Sequence, residues 1–286
     1  MSDARKITRR SVLKSGIVSL GTAAVLPKAH AVQKKPGEVR VLFLMGDIWH
    51  NSVRMESHWR KVLGVTGWRL MFAQSSRFVT PEVLADTDLF VFARYAGGDS
   101  LGWSPDGIVE ERQEGYNFIS EEQEKAIWDN VVNRGMGIIP FHCSIWQTDS
   151  KKYERLIALK EPLMHGPLME TTFYNLNQEH PITKGVEMYV TIDEIFGAVM
   201  MDDVAYTPLM RAVQIHTQPD YLKFDHLAAW AREEGKGRIV MLNCGASHEC
   251  WWEKSFKEIM WRSAHWAMKK DIPVSGLVDG RFKDRE

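Results

Sequence analysis

Three histidines, His50, His142 and His248, each follow a short apolar run of strand length, a pattern that presents imidazoles at one edge of a sheet. Neutral imidazoles with a carboxylate can hold Zn²⁺ or a similar divalent ion with one position open. Such an ion polarises a carbonyl or lowers the pKa of a bound water towards ~7. Without a metal the same rings can relay protons beside a keto group, with Glu194 or Glu249 orienting an imidazole. The residue types therefore nominate His142, His248, Glu194 and Glu249 for catalysis, and His50, His142 and His248 as metal ligands. Trp49, Trp146, Trp251 and Trp252 lie within four residues of these histidines, and flat indole faces suit stacking on sugar rings. Each has a plainer reading as well: Asp193-Glu194 as a turn cap, His142 as a ring bonded to backbone, and Cys143 as a small buried apolar side chain.

Strands must deliver these groups. Val39 to Gly46 is a nearly continuous apolar run, as expected for a parallel strand buried on both faces, and Asp47 to Asn51 follows as its carboxyl-end loop. Ser52 to Leu63 has helical spacing, Trp68 to Ala73 reads as a second strand, and Thr80 caps a short helix from Pro81. Asp88 to Tyr95 is a third strand, which gives the β, α, β, α, β order of a doubly wound sheet. Ala96 to Phe118, rich in glycine, interrupts as a long surface insertion, read either as a lid or as a plain loop. Ser120 to Gln123 is a capping box that opens a helix ended by Gly135. Gly137 to Phe141 is a fourth strand leading through His142 into a further helix. Beyond Lys160 the segments shorten into edge and meander strands, and Leu227 to Arg232 pairs with Arg238 to Leu242 around a turn. Gly245 then lets the chain swing into Ser247-His248-Glu249, and Ser255 to Met268 has the apolar face of a closing helix.

The 286 residues are 44% hydrophobic, enough for a sizeable core. Thr8-Arg9-Arg10-Ser11-Val12-Leu13-Lys14, the modestly apolar run from Gly16 to Leu26 and Ala29-His30-Ala31 form a twin-arginine signal with a small-x-small cleavage site. Residues 1–31 are read as that signal, 32–38 as a linker, 39–270 as one domain and 271–286 as a tail. The expected address is periplasmic or secreted, without a membrane span in the mature chain. Residues 1–31 hold six of the 36 basic residues and one of the 37 acidic ones, leaving a formal charge of −6 that argues against nucleic acid or anionic membrane as partner. Three cysteines, Cys143, Cys244 and Cys250, are too few for a disulfide framework; a single Cys244–Cys250 bridge stays open.

Taken together, several stretches resemble the trehalose-utilisation, or ThuA-like, family: Gly46-Asp47-Ile48-Trp49-His50, Gly135 to His142, His180 to Gly185, Asp193-Glu194-Ile195-Phe196, and Gly235 to Glu249 with the helix to Ala267. The resemblance covers roughly Val39 to Lys270. It implies a flavodoxin-like, class I glutamine amidotransferase-like sheet with flanking helices and extra edge strands, and a place in disaccharide or keto-sugar metabolism rather than glutamine hydrolysis. An amidotransferase relative would carry its nucleophile where this chain has His142. Here Cys143 comes one residue late, without flanking glycines. Two functions follow as expectations, an exported carbohydrate-active enzyme with histidine-centred or metal-assisted chemistry, and a sugar-binding module without catalysis.

Overall fold

The computed structural model describes residues 34–47, 49–95, 99–104, 107–111, 119–146, 150–215 and 223–273. The twin-arginine signal and most of the C-terminal tail lie outside the described residues. Strand β1 (Arg40–Met45) is buried at every position, as its unbroken apolar run requires. Helix α1 (Ser52–Leu63), capped by the Asn51 side chain, leads to β2 (Arg69–Ala73), α2 (Pro81–Ala85, capped by Thr80) and β3 (Leu89–Ala93). Within the expected insertion, β4 (Asp99–Ser104) and β5 (Gly107–Glu111) pair as an antiparallel hairpin.

The Ser120 capping box is present and opens α3 (Glu121–Asp129), which widens into a π turn over Asn130–Arg134 before Gly135 ends it at positive φ. After β6 (Gly137–Pro140) the expected helix is instead a 3₁₀ turn over His142–Trp146, and α4 (Lys151–Leu156) starts later. Strands β7 (Leu159–His165), β8 (Met169–Asn175), β9 (Tyr189–Asp193), β10 (Phe196–Met200), β11 (Thr207–Ile215), β12 (Lys223–Glu234) and β13 (Gly237–Leu242) supply the meander; α5 (His248–Trp252) and α6 (Lys254–Ala267) close the chain.

Nine strands form one sheet in the order β2-β1-β3-β6-β13-β12-β11-β8-β9, its first five parallel and the rest antiparallel. The doubly wound architecture with extra edge strands is thus present. Strands β7 and β10 pair separately as a two-stranded ribbon. One core lies between the sheet and α1 and α6, through Phe43, Trp59, Phe141, Phe256 and Met260; the other lies on the opposite face, through Leu44, Phe92, Ile127 and Tyr153. Both cores grip the carboxyl ends of β1, β3 and β6, so the loops that leave those ends start from rigid positions. No helix among the described residues is long and apolar enough to cross a membrane.

Candidate functional site

The loop leaving β1 is organised by one carboxylate. Asp47 Oδ1 accepts from the backbone N–H groups of Trp49 (2.8 Å) and His50 (2.9 Å), and Oδ2 accepts from Tyr95 N (2.8 Å) at the end of β3. His50 Nδ1 lies 2.8 Å from Asp47 Oδ1. A carboxylate can only accept there, so Nδ1 carries the proton and Nε2 is left as the free, basic nitrogen. Burial alone would raise the Asp47 carboxyl, but the His50 contact and the N–H groups of Tyr95 and Trp49 outweigh it and hold the pKa at about 2.

At the end of β6, His142 takes the strand-to-helix corner with φ +41°, a strained left-handed backbone for a residue with a Cβ. Its ring is 1% exposed, and neither nitrogen has a hydrogen-bond partner among the described residues. The ring sits edge-on to His50 at 5.1 Å between centroids, and Nε2 lies 3.4 Å from Glu194 Oε1, close for an ion pair but not aligned as a hydrogen bond. Burial pushes the His142 pKa down, so its imidazole is neutral near pH 7. Cys143 is a buried thiol, its Sγ 3.6 Å from Asp47 Oδ2. Burial and the Asp47 charge raise its pKa well above the ordinary value, the opposite of what a cysteine nucleophile needs. Cys244 and Cys250 are likewise buried free thiols, with no bridge between them.

The third wall comes from the turn between β9 and β10 and from the end of β7. Glu194 Oε2 lies 3.5 Å from His165 Nδ1, which donates to Gly166 O at 2.7 Å and leaves Nε2 as the other, open ring nitrogen. Burial works to raise the Glu194 carboxyl, but His142, His165 and His50 together hold it below the usual carboxylate range. Asp193, one residue earlier, points away from the cavity: its carboxylate accepts from Gly245 N (2.8 Å), Ala246 N (2.9 Å) and Ser247 N (3.0 Å). The acidic pair therefore divides its labour, Asp193 as the expected turn cap and Glu194 as a site group.

These groups line a cavity of about 620 Å³ together with Tyr95, Trp146 and Phe196; judged by exposure, His50, Cys143, Glu194 and the half-buried His165 form its floor and the strongly exposed Trp49, Met164 and Leu168 its mouth. A family model described as trehalose utilisation, ThuA, matches residues 40–267. The chain belongs to the ThuA family. Among solved structures it is similar to a ThuA-like protein of Parabacteroides merdae (17% identity, 83% of this chain and 94% of that one, TM-score 0.61) and to one of Bacteroides uniformis (14%, 86% and 95%, TM-score 0.56). It is also similar to the cytoplasmic protein STM1381 of Salmonella typhimurium LT2 (13%, 81% and 98%, TM-score 0.52). At these identities the likeness is one of fold. No curated protein sequence matches the chain. ThuA membership ties the chain to a carbohydrate-related role.

Of the residues nominated in this ThuA chain, His50, His142, Glu194, Trp49 and Trp146 lie at or beside the cavity, and four do not. His248 opens α5, where the Ser247 cap turns the chain onto the α1 face of the sheet; its Nε2 accepts from Trp252 Nε1 at 2.8 Å, and its ring lies 5.4 Å from His58. The triad of His50, His142 and His248 therefore does not converge. Glu249 is exposed in the first turn of α5. Trp251 is core, stacked between His58 and Phe141 with its N–H on Gly245 O, and Trp252 lies under Lys61 and Lys257. In their place stand His165 and Asp47, to which residue pattern had given no role. His165-Gly166-Pro167 at a strand end, and an aspartate three residues before His50, are the signals that mark them.

The nearest metal-like group among the described residues is Asp47, His50 and Cys143, with ligand atoms within 4.8 Å of one another. A divalent ion fits it poorly. Both Asp47 oxygens are already occupied by N–H donors, His50 offers the cluster the nitrogen that carries its proton, and burial keeps the Cys143 thiol protonated.

The His58 cluster has its own consequence. Burial, aided by Lys61, His248 and Lys257, lowers the His58 pKa from 6.5 to about 4. The unfolded chain then binds the extra proton between those values. Stability contributed by neutral His58 is present above pH 6.5 and is lost as pH falls towards 4, by about 2 kcal/mol after allowing for solvent screening. Urea midpoints at pH 7.5 and 5 should differ accordingly, and His58→Gln should flatten that slope; an equal slope in the variant would show that other groups carry it.

Proposed function

We propose that this ThuA chain is an enzyme acting on a neutral sugar of the disaccharide or keto-sugar class, moving a proton at the carbon beside a carbonyl. The observation that supports it most directly is the Asp47–His50 pair, which fixes a basic Nε2 across the cavity floor from Glu194 and His165. His50 Nε2 takes the proton from carbon. The C–H electron pair becomes the new C=C bond, and the carbonyl π pair moves to oxygen, which takes the Nε2 proton of His165 in its imidazolium form, the Nδ1–H being committed to Gly166 O. Glu194 meets any positive charge that develops on His165 or His142. Return of the proton to the same or the adjacent carbon restores the side chains, and no oxidant or reductant is consumed. His142, neutral and unpaired, supports the oxygen-side hydrogen bonding from the strained corner where amidotransferase-like folds place a nucleophile.

The test is deuterium exchange, followed by NMR, into a keto-disaccharide incubated with the mature protein in D₂O. Exchange is expected, and His142→Ala should reduce it about 100-fold or more. No exchange in the native protein despite saturable sugar binding would favour the non-catalytic sugar-binding reading instead, and full-rate exchange in His142→Ala would remove His142 from the chemistry. The twin-arginine pattern at residues 8–14 supports a periplasmic setting. Arg9→Lys/Arg10→Lys should then leave the protein in the cytoplasmic fraction; unchanged export would rule out the twin-arginine route, and native protein found only in the cytoplasm would remove that address.

A further inference from the structure

The cavity is graded from a polar floor to an apolar mouth. At the mouth, Trp49 is 73% exposed, Met164 67% and Leu168 57%, three large apolar side chains held in water around one opening. Scattered apolar residues on a surface need no explanation, but three on the rim of one cavity form a contiguous patch of the kind that marks a ligand or partner. The Trp49 backbone is fixed by its N–H bond to Asp47, so the indole is presented from the same anchor that orients His50. At the floor the polar groups are His50, His165 and Glu194. Among the described residues no lysine or arginine lines the cavity, and Glu194 is held ionised by its histidine neighbours. A phosphorylated or acidic sugar would bring a second negative charge to that floor with no guanidinium or ammonium to receive it.

We propose that the substrate is, within the keto-sugar class, a neutral glycoside with an apolar aglycone, its carbonyl-bearing sugar ring on the histidine floor and its aglycone, in place of a second sugar, against Trp49, Met164 and Leu168. This rests on the reading of the cavity as the sugar-processing site and narrows its substrate class. A second sugar ring would set hydroxyl groups against Met164 and Leu168, which offer no hydrogen bond. An aryl or alkyl group there removes apolar surface from water on both partners, and a contact of that size favours the aglycone by roughly 10–100-fold in affinity.

Calorimetric titration of the mature protein with phenyl β-glucoside, methyl β-glucoside and trehalose tests this. The phenyl glycoside should bind about 10–100-fold tighter than either other ligand. The surface variant Met164→Ser/Leu168→Ser should lose that advantage while keeping its methyl glucoside affinity. Equal affinities for phenyl and methyl glucoside, or trehalose as the tightest ligand, would overturn the proposal. So would a rim that proves to be a contact between copies of the chain, seen as a dimer in sedimentation that the double variant converts to monomer without changing ligand selectivity. His50→Ala separates this inference from the proposed chemistry. It should retain the phenyl-over-methyl preference while losing deuterium exchange; native protein that shows the preference but no exchange refutes the chemistry alone, and native protein that exchanges without the preference refutes the aglycone alone.

Discussion

Replacing Asp47 by asparagine should lower the exchange rate by about 10²–10⁴-fold while leaving glycoside affinity within a factor of a few. The carboxylate performs two tasks that an amide cannot combine. It receives hydrogen bonds from Trp49 N, His50 N, Tyr95 N, His50 Nδ1–H and the Cys143 thiol, and it is anionic down to a pKa of about 2. An asparagine has one acceptor oxygen and one donor NH₂, so in either orientation it turns a donor towards an N–H group. If the NH₂ faces His50, the favoured tautomer inverts: Nδ1 becomes the acceptor, Nε2 takes the proton, and the nitrogen facing the cavity is no longer a base. Asp47 thus acts through His50 as a positioning residue, and the pH profile tells this apart from a general structural loss. The native acid limb should report a base in the cavity, whereas Asp47→Asn should shift or erase that limb with its urea midpoint close to native. A variant that loses activity only in proportion to its folded fraction would argue against the tautomer account.

The sequence made the framework readable because its signals were local. The apolar runs at β1, β3 and β6 admit few alternatives to buried parallel strands, and the Thr80 and Ser120 caps mark helix starts to the residue. Since β1 and β6 end in the same layer of the sheet, His50 and His142 could be placed at one edge from pattern alone, and they do meet. His248 failed the same reasoning for a definite reason. Only two residues separate Gly245 from the start of α5, and the Ser247 cap commits the chain to the face occupied by α1, where His248 finds His58 and not His50. Position along a strand edge was legible; the face to which a loop turns depended on packing. His165 was hidden for a different reason. It reaches the cavity on the β7–β10 ribbon, outside the main sheet, whose placement depends on contacts far apart in sequence.

The Asp193–Glu194 pair yields the largest expected effect on stability and a contrast within two residues. Asp193 is fully buried, and its carboxylate closes the loop after β13 by accepting three backbone N–H groups. Burial raises its carboxyl above the ordinary value against the pull of His142 and the Gly245 and Ser247 N–H groups. Asp193→Ala removes all three hydrogen bonds at once and leaves N–H groups where water does not readily replace them, a loss of about 3–5 kcal/mol that should appear as a lower urea midpoint with the slope unchanged. Asp193→Asn, with one oxygen kept, should fall between. The loop cannot relax cheaply to compensate: Gly245 sits at φ +95° against Phe141 and Phe256, and the Ser247 hydroxyl is already committed to Ile192 O. Glu194→Gln, one residue on, should behave in the opposite way. Its side chain faces the cavity, so the fold should stay within about 1 kcal/mol of native. Exchange should nonetheless fall, because His142 and His165 lose the anion between them. Equal destabilisation by Asp193→Ala and Glu194→Gln would contradict this division, because only Asp193 is placed to hold the loop that carries Ala246 to the cavity wall.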